Sequence, residues 1–69
     1  MKPLKRRELI RKLRKFGYTG PVQSGKHPYM ERGDQNLTIP GEHGRDIGVG
    51  LQKEIIKQAG ISRRDWKDA

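Results

Sequence analysis

The chain has no cysteine among its 69 residues, so neither a disulfide nor a thiolate metal site can brace it. Aromatic side chains are scarce at 6%, and hydrophobic residues reach only 30% against 35% charged. An interior built from so little is thin, near the limit at which apolar burial offsets chain entropy without a partner. No stretch approaches the roughly 20 apolar residues of a membrane-spanning helix, and no apolar run follows the basic N-terminus as a secretory signal would require. Two histidines and carboxylates without loop-type spacing make a poor metal site. A G-x-x-x-x-G-K-[ST] phosphate loop is missing, and Gly48-Val49-Gly50 lacks the preceding strand and third glycine of a dinucleotide site. These absences predict one domain over residues 1–69, with no metal, no cofactor and no membrane association, in the reducing cytoplasm.

Acidic residues are also few, 8 Asp and Glu against 16 Lys and Arg, which leaves a net charge of +8. An anionic partner is expected. The excess is local, because residues 1–16 hold eight basic side chains and only Glu8, or +7 of the total. Within them Leu9, Ile10, Leu13 and Phe16 recur at i, i+1, i+4 and i+7, Pro3 suits a first helical turn, and Gly17 suits a helix end. The spacing predicts a helix from about Pro3 to Phe16. Lys5, Arg6, Arg7, Arg11, Lys12, Arg14 and Lys15 fill its other faces. Such residues are ordinarily solvated helix formers, yet with Glu8 alone to offset them they read as a phosphate-facing surface. A membrane-surface helix fits less well, since the apolar stripe is needed for the core.

From Tyr18 onward the helical period gives way to three short strands, Val22 to Ser24, Pro28 to Arg32 and Asn36 to Ile39, with Gly20-Pro21 disrupting the first. Gly33-Asp34 turns the second into the third. Leu37 and Ile39 flank Thr38 and point inward, whereas either Tyr29 or Met30 can be the inward residue of the second strand. Pro40 to Gly48 reads as a loop. A second helix follows, with Leu51, Ile55, Ile56 and Ala59 at its apolar positions and Gly60-Ile61 at its end. Ser62 to Asp65 resembles a capping box opening a last short turn that carries Trp66. The order is α+β: a three-stranded antiparallel sheet, α-β-β-β-α, with both helices on one face burying Leu9, Leu13, Phe16, Leu37, Ile39, Leu51, Ile55 and Ile56. Double-stranded RNA-binding domains share this order, which by itself is weak evidence of function.

Gly25-Lys26-His27-Pro28-Tyr29, then Leu37-Thr38-Ile39-Pro40, His43-Gly44, and Ile55-Ile56-Lys57-Gln58-Ala59-Gly60-Ile61-Ser62 resemble, in order and spacing, the HicA (YcfA-like) family of mRNA interferase toxins. The likeness covers nearly the whole chain, including a basic helix closed by Gly17-Tyr18. It implies a double-stranded RNA-binding-domain-like fold, ribosome-independent cleavage of mRNA, a HicB-like antitoxin as protein partner, and one essential histidine, His27. Many members carry Gly-Ser-His followed by a second histidine. Here Lys26 replaces the serine, and Pro28 and Tyr29 follow.

RNA carries its own nucleophile in the 2′-OH, so cleavage needs a base, an acid for the leaving 5′-oxygen, and cations near the phosphate. An imidazole with a usual pKa of about 6.5 suits either proton-transfer role. By spacing alone His27 reads as an exposed histidine at a strand start, and the resemblance turns it into the catalytic candidate. Lys26 is placed to neutralise phosphate. Lys26, Tyr29 and Arg45 are candidates by chemistry for a second donor, and His43 reads as a polar loop residue or as the other half of an acid–base pair. Tyr29 suits base stacking or packing equally, whereas Trp66 reads as packing of the chain end. The alternative to a nuclease is a non-catalytic RNA-binding module. A DNA-binding domain fits less well, since no helix-turn-helix pattern is present.

Overall fold

The computed structural model describes residues 2–25, 27–39 and 46–69. Along them run α1 (Arg6–Lys15), β1 (Thr19–Ser24), β2 (His27–Arg32), β3 (Gln35–Thr38), α2 (Val49–Ala59) and α3 (Arg63–Asp68). The strands form one antiparallel sheet in the order β1-β2-β3. Met30, Leu37 and Ile39 from the sheet share one buried cluster with Leu9 and Leu13 of α1 and Ile55, Ile56 and Ala59 of α2. Both long helices therefore cover the same face, as the hydrophobic pattern predicts.

The first helix starts later than its sequence pattern suggests. Leu4 forms an antiparallel bridge with Ile47, its N–H donating to the Ile47 carbonyl at 3.0 Å and its carbonyl accepting from the Ile47 N–H at 2.6 Å. Two backbone hydrogen bonds and packing of Leu4 against the core hold this segment extended, so Pro3 does not serve as a first helical turn. Lys5 is the N-cap, and its carbonyl accepts the first helical bond from Leu9. Glu8 then lies in the first turn and Lys12, Arg14 and Lys15 in the last, each sign favourable to the helix dipole.

β1 runs through Gly20-Pro21 instead of beginning after it. The Gly20-Pro21 peptide is cis, and the pairing shifts between Thr19↔Glu31 and Val22↔Tyr29, which is one extra residue on β1. Gly20 has φ +113, and a Cβ there would meet the backbone N of Val22 at 3.0 Å and the Tyr29 carbonyl at 3.2 Å. Only glycine lets the two strands approach so closely. The β2–β3 turn at Gly33-Asp34 forms as predicted, and the Ile39 N–H donates to the Pro28 carbonyl at 3.0 Å beyond the end of β3.

Met30 is fully buried and Tyr29 only partly, so Met30 is the inward residue of β2. The second helix corrects another expectation. Leu51 is 46% exposed, and its predicted place in the core belongs to Gln52, which shares the inward face with Ile55, Ile56 and Ala59. The i, i+3, i+4, i+7 spacing starts one residue later than the apolar letters indicate. Phe16, also expected in the core, is only partly buried and packs against the cluster from its edge. At the helix end the Ile61 N–H reaches the Ile56 carbonyl at 2.9 Å and the Gly60 N–H the Lys57 carbonyl at 3.2 Å. This closing motif returns Ile61 to the core.

Ser62 caps α3 by accepting from the Asp65 N–H at 3.1 Å, and α3 seats Trp66, 1% exposed, in the core. The indole Nε1 donates to Gln52 Oε1 at 3.2 Å, while Gln52 Nε2 donates to the carbonyls of Lys2 at 2.6 Å and Ile47 at 3.1 Å. Gln52→Met keeps the side-chain length but leaves the indole N–H and the Lys2 carbonyl without these partners. The expected loss is about 2 kcal/mol of stability, read from the urea midpoint of Trp66 fluorescence. An unchanged midpoint would show that the amide does not tie these segments together.

Candidate functional site

His27 opens β2 beside a two-residue connection, with Ser24 opposite it across the hairpin. Gly25 in this connection has φ +68, which L side chains rarely adopt and which a tight hairpin demands. The resulting turn leaves His27 exposed at the end of the central strand. Lys26, its expected phosphate-neutralising neighbour, lies outside the described residues, as do His43, Arg45 and the rest of the stretch 40–45.

Period two places His27, Tyr29 and Glu31 on one face of β2, with the buried Pro28 and Met30 on the other. Val22 and Thr38 flank Tyr29 from the neighbouring strands, and Thr19 and Asn36 flank Glu31. The helices pack against the opposite face, so this row of hydroxyl, carboxylate and amide side chains forms the sheet's outer surface, with the histidine at one end. Two residues of strand separate the His27 and Tyr29 α-carbons by about 7 Å. Either side chain can thus reach one small substrate group, such as a phosphodiester.

The six basic residues of α1 and its N-cap Lys5 fall into two groups. Arg11 grips Glu8 Oε2 through Nε at 3.2 Å and Nη2 at 3.0 Å, and this bond holds the Glu8 carboxyl below its ordinary value. Arg14 forks onto the Gly20 carbonyl at 3.3 and 2.8 Å, bracing the bulged start of β1. Lys12 donates to the Trp66 carbonyl at 3.0 Å and lies 5.2 Å from the centre of the indole ring. Burial pushes its ammonium below the usual lysine value, and the nearby Arg11 charge adds to the shift. Lys5, Arg7 and Lys15 are exposed and Arg6 half-exposed, and among the described residues none of these four has an ion-pair partner. No cluster of three or more His, Asp or Glu able to hold a metal occurs among the described residues. No described helix is long and apolar enough to cross a membrane.

A family model described as the HicA toxin of bacterial toxin-antitoxin systems matches residues 6–61. The chain belongs to the HicA toxin family. Comparison with curated proteins and with solved structures returned no match. The matched span runs from the first residue of α1 to the Ile61 that closes α2, so it takes in the basic helix, the whole sheet and His27. As a member of a toxin–antitoxin family, this HicA-type chain has an antitoxin as its protein partner.

Sequence reasoning passed over Arg32. Its guanidinium donates to the Phe16 carbonyl at 3.2 Å and the Ala59 carbonyl at 2.8 Å, and stacks 4.5 Å from the centre of the Tyr18 ring. It satisfies the C-terminal ends of both long helices at once, where a cation is favoured. No local pattern announces such a role, because its partners are backbone carbonyls from distant parts of the chain. Gln35 works beside it, accepting from the Tyr18 hydroxyl at 2.5 Å and donating to the Gln58 carbonyl at 2.6 Å.

The split within α1 has a measurable consequence. Lys12→Ala removes a hydrogen bond and a cation–ring contact and is expected to cost about 1 kcal/mol of stability. Lys15→Ala, on an exposed site, is expected to stay within about 0.5 kcal/mol. Chemical unfolding of the two variants checks the assignment, and equal losses would contradict it.

Proposed function

We propose that this HicA-family toxin is an endoribonuclease, an mRNA interferase that cuts RNA by metal-independent acid–base chemistry centred on His27. The observation that carries the reading is the position of His27, exposed at the end of the central strand on the face the helices leave open, within a chain whose family membership covers that residue. In the proposed reaction a neutral imidazole takes the proton of a ribose 2′-OH. The freed oxygen attacks the adjacent phosphorus, and the bond to the 5′-oxygen breaks as that oxygen receives a proton. The products carry a 2′,3′-cyclic phosphate and a 5′-hydroxyl. Tyr29, on the same face two residues along, offers a phenolic hydroxyl as the second donor, and Lys26 offers charge for the phosphate.

Long-range attraction of the RNA falls to α1. Of Lys5, Arg6, Arg7, Arg11, Lys12, Arg14 and Lys15, the exposed Lys5, Arg7 and Lys15 have heads uncommitted to other described side chains or carbonyls, so they carry most of this role. The antitoxin partner is proposed to be HicB-like and to work in the cytoplasm, and an acidic surface on it would speed association with a chain of net charge +8.

Purified protein incubated with an mRNA in EDTA is expected to cut it, and His27→Ala to cut it at least about 100-fold more slowly while still binding. Tyr29→Phe is expected to slow cutting by a smaller factor with binding intact. If the parent protein binds RNA without cutting any, the chain is a non-catalytic RNA-binding module and the nuclease reading fails. Replacing Lys5, Arg7 and Lys15 together by alanine is expected to reduce the slope of log affinity for single-stranded RNA against log salt by about 2. An unchanged slope would remove α1 from the interface.

A further inference from the structure

A second feature lies away from the sheet. The N-terminal segment, α1, α2 and α3 enclose a cleft of about 620 Å³, to which no residue of the sheet contributes. Among the described residues five cations line it, Lys2, Lys12, Lys53, Arg63 and Lys67, and no carboxylate does. Among the described residues Arg11–Glu8 is the one ion pair, so no described carboxylate neutralises these five. Lys12 is committed to Trp66, which leaves four exposed cationic heads from three segments of the chain converging on one hollow. The first turn of α2, which borders the cleft through Val49, carries no acidic residue to lower the potential. A concavity lined by one sign of charge focuses field and favours an anionic occupant.

The floor decides which kind of anion fits. Trp66 borders the cleft but is 1% exposed, so it offers no ring face for a base to stack on. Gln52 has its amide oxygen on the indole N–H and its nitrogen on the carbonyls of Lys2 and Ile47, so it is not available to read a base edge. What remains is aliphatic: the half-buried Leu4 and Val49, together with the methylene stems of the lysines. Nucleic acid would find cations here but nothing to hold its bases. A peptide whose carboxylates surround an aliphatic side chain would meet a complement to both parts, and the volume lies within the roughly 300–1,000 Å³ of ordinary binding clefts.

We propose that this cleft docks an acidic segment of a protein partner, with its carboxylates on Lys2, Lys53, Arg63 and Lys67 and an aliphatic side chain seated on Leu4 and Val49. The site is separate from the His27 face, and the proposal does not depend on RNA cleavage. It gives the protein two independent surfaces, an outer sheet face and an acidic-peptide cleft on the helical side.

The test is an NMR titration of the isotope-labelled full chain with a synthetic peptide in which glutamates flank leucines. The Trp66 indole N–H, the Gln52 side-chain amide and the Val49 backbone N–H are built-in reporters of the cleft. The largest shifts are expected at these three groups. Lys53→Glu with Lys67→Glu, both at exposed positions, is expected to weaken the peptide about tenfold. A peptide with glutamine for glutamate, or serine for leucine, is expected to lose most of its affinity, and these peptide variants decide the matter even if the doubly substituted protein folds poorly. Shifts confined to Tyr29 and Thr38, or equal affinity for the serine peptide, would overturn the proposal. A single-stranded RNA oligonucleotide that shifts the three reporters while the acidic peptide leaves them unmoved would also overturn it and assign the cleft to nucleic acid.

Discussion

The side-chain amide of Gln52 is buried where the N-terminal segment, the residues leading into α2, and α3 meet, and it bonds to all three. Its nitrogen holds the Lys2 and Ile47 carbonyls, and its oxygen holds the indole of Trp66. A polar group in a core this small is costly unless it is hydrogen-bonded, and here both the amide nitrogen and the amide oxygen have partners. In turn the amide fixes where Trp66 sits, and Trp66 is the largest apolar side chain available to a chain with only 30% hydrophobic residues. Phe16 stacks on that ring at 6.2 Å, and Lys12 lies over it. The seating of α1 and the walls of the basic cleft thus both trace back to one glutamine.

A chain so rich in charge and so poor in apolar mass uses part of its charge as internal fastening. Arg32 closes both long helices, Arg14 braces the bulged start of β1, and Lys12 holds the end of α3. These side chains donate to carbonyls that helix ends and bulges leave open, and Lys12 and Arg32 are themselves half-buried. Other exposed cations include Lys5, Arg7 and Lys15 at α1 and Lys2, Lys53, Arg63 and Lys67 around the cleft. Net charge alone does not reveal that division, since the same +8 serves fastening, the proposed RNA attraction and the proposed peptide docking.

Much of this architecture was legible in the sequence wherever a local rule decides. Period two in Leu37-Thr38-Ile39, the Gly33-Asp34 turn, the Gly60 helix end and the Ser62 cap each follow from neighbouring residues and formed as expected. The deviations arose where a distant contact outweighs local preference. Pro3-Leu4 would suit a helix start, but Ile47, more than forty residues away, draws it into a bridge. Leu51 is the more apolar letter, but Gln52 has three partners waiting inside. At the candidate site, His27 was legible through its motif, and the burial of Met30 settled which face Tyr29 shares with it. The partition of the basic helix was not legible, because the bonds that occupy Lys12 and Arg14 end on backbone carbonyls outside α1.

The proposed chemistry makes the ribose hydroxyl the nucleophile and leaves water no part in the first step. The nature of the newly formed RNA ends therefore tests it most directly. End-group analysis of a message cut by the purified protein is predicted to find 2′,3′-cyclic phosphates facing 5′-hydroxyls. Ends bearing 3′-hydroxyls and 5′-phosphates, or steady cutting of a strand whose 2′-oxygens are all methylated, would contradict the account.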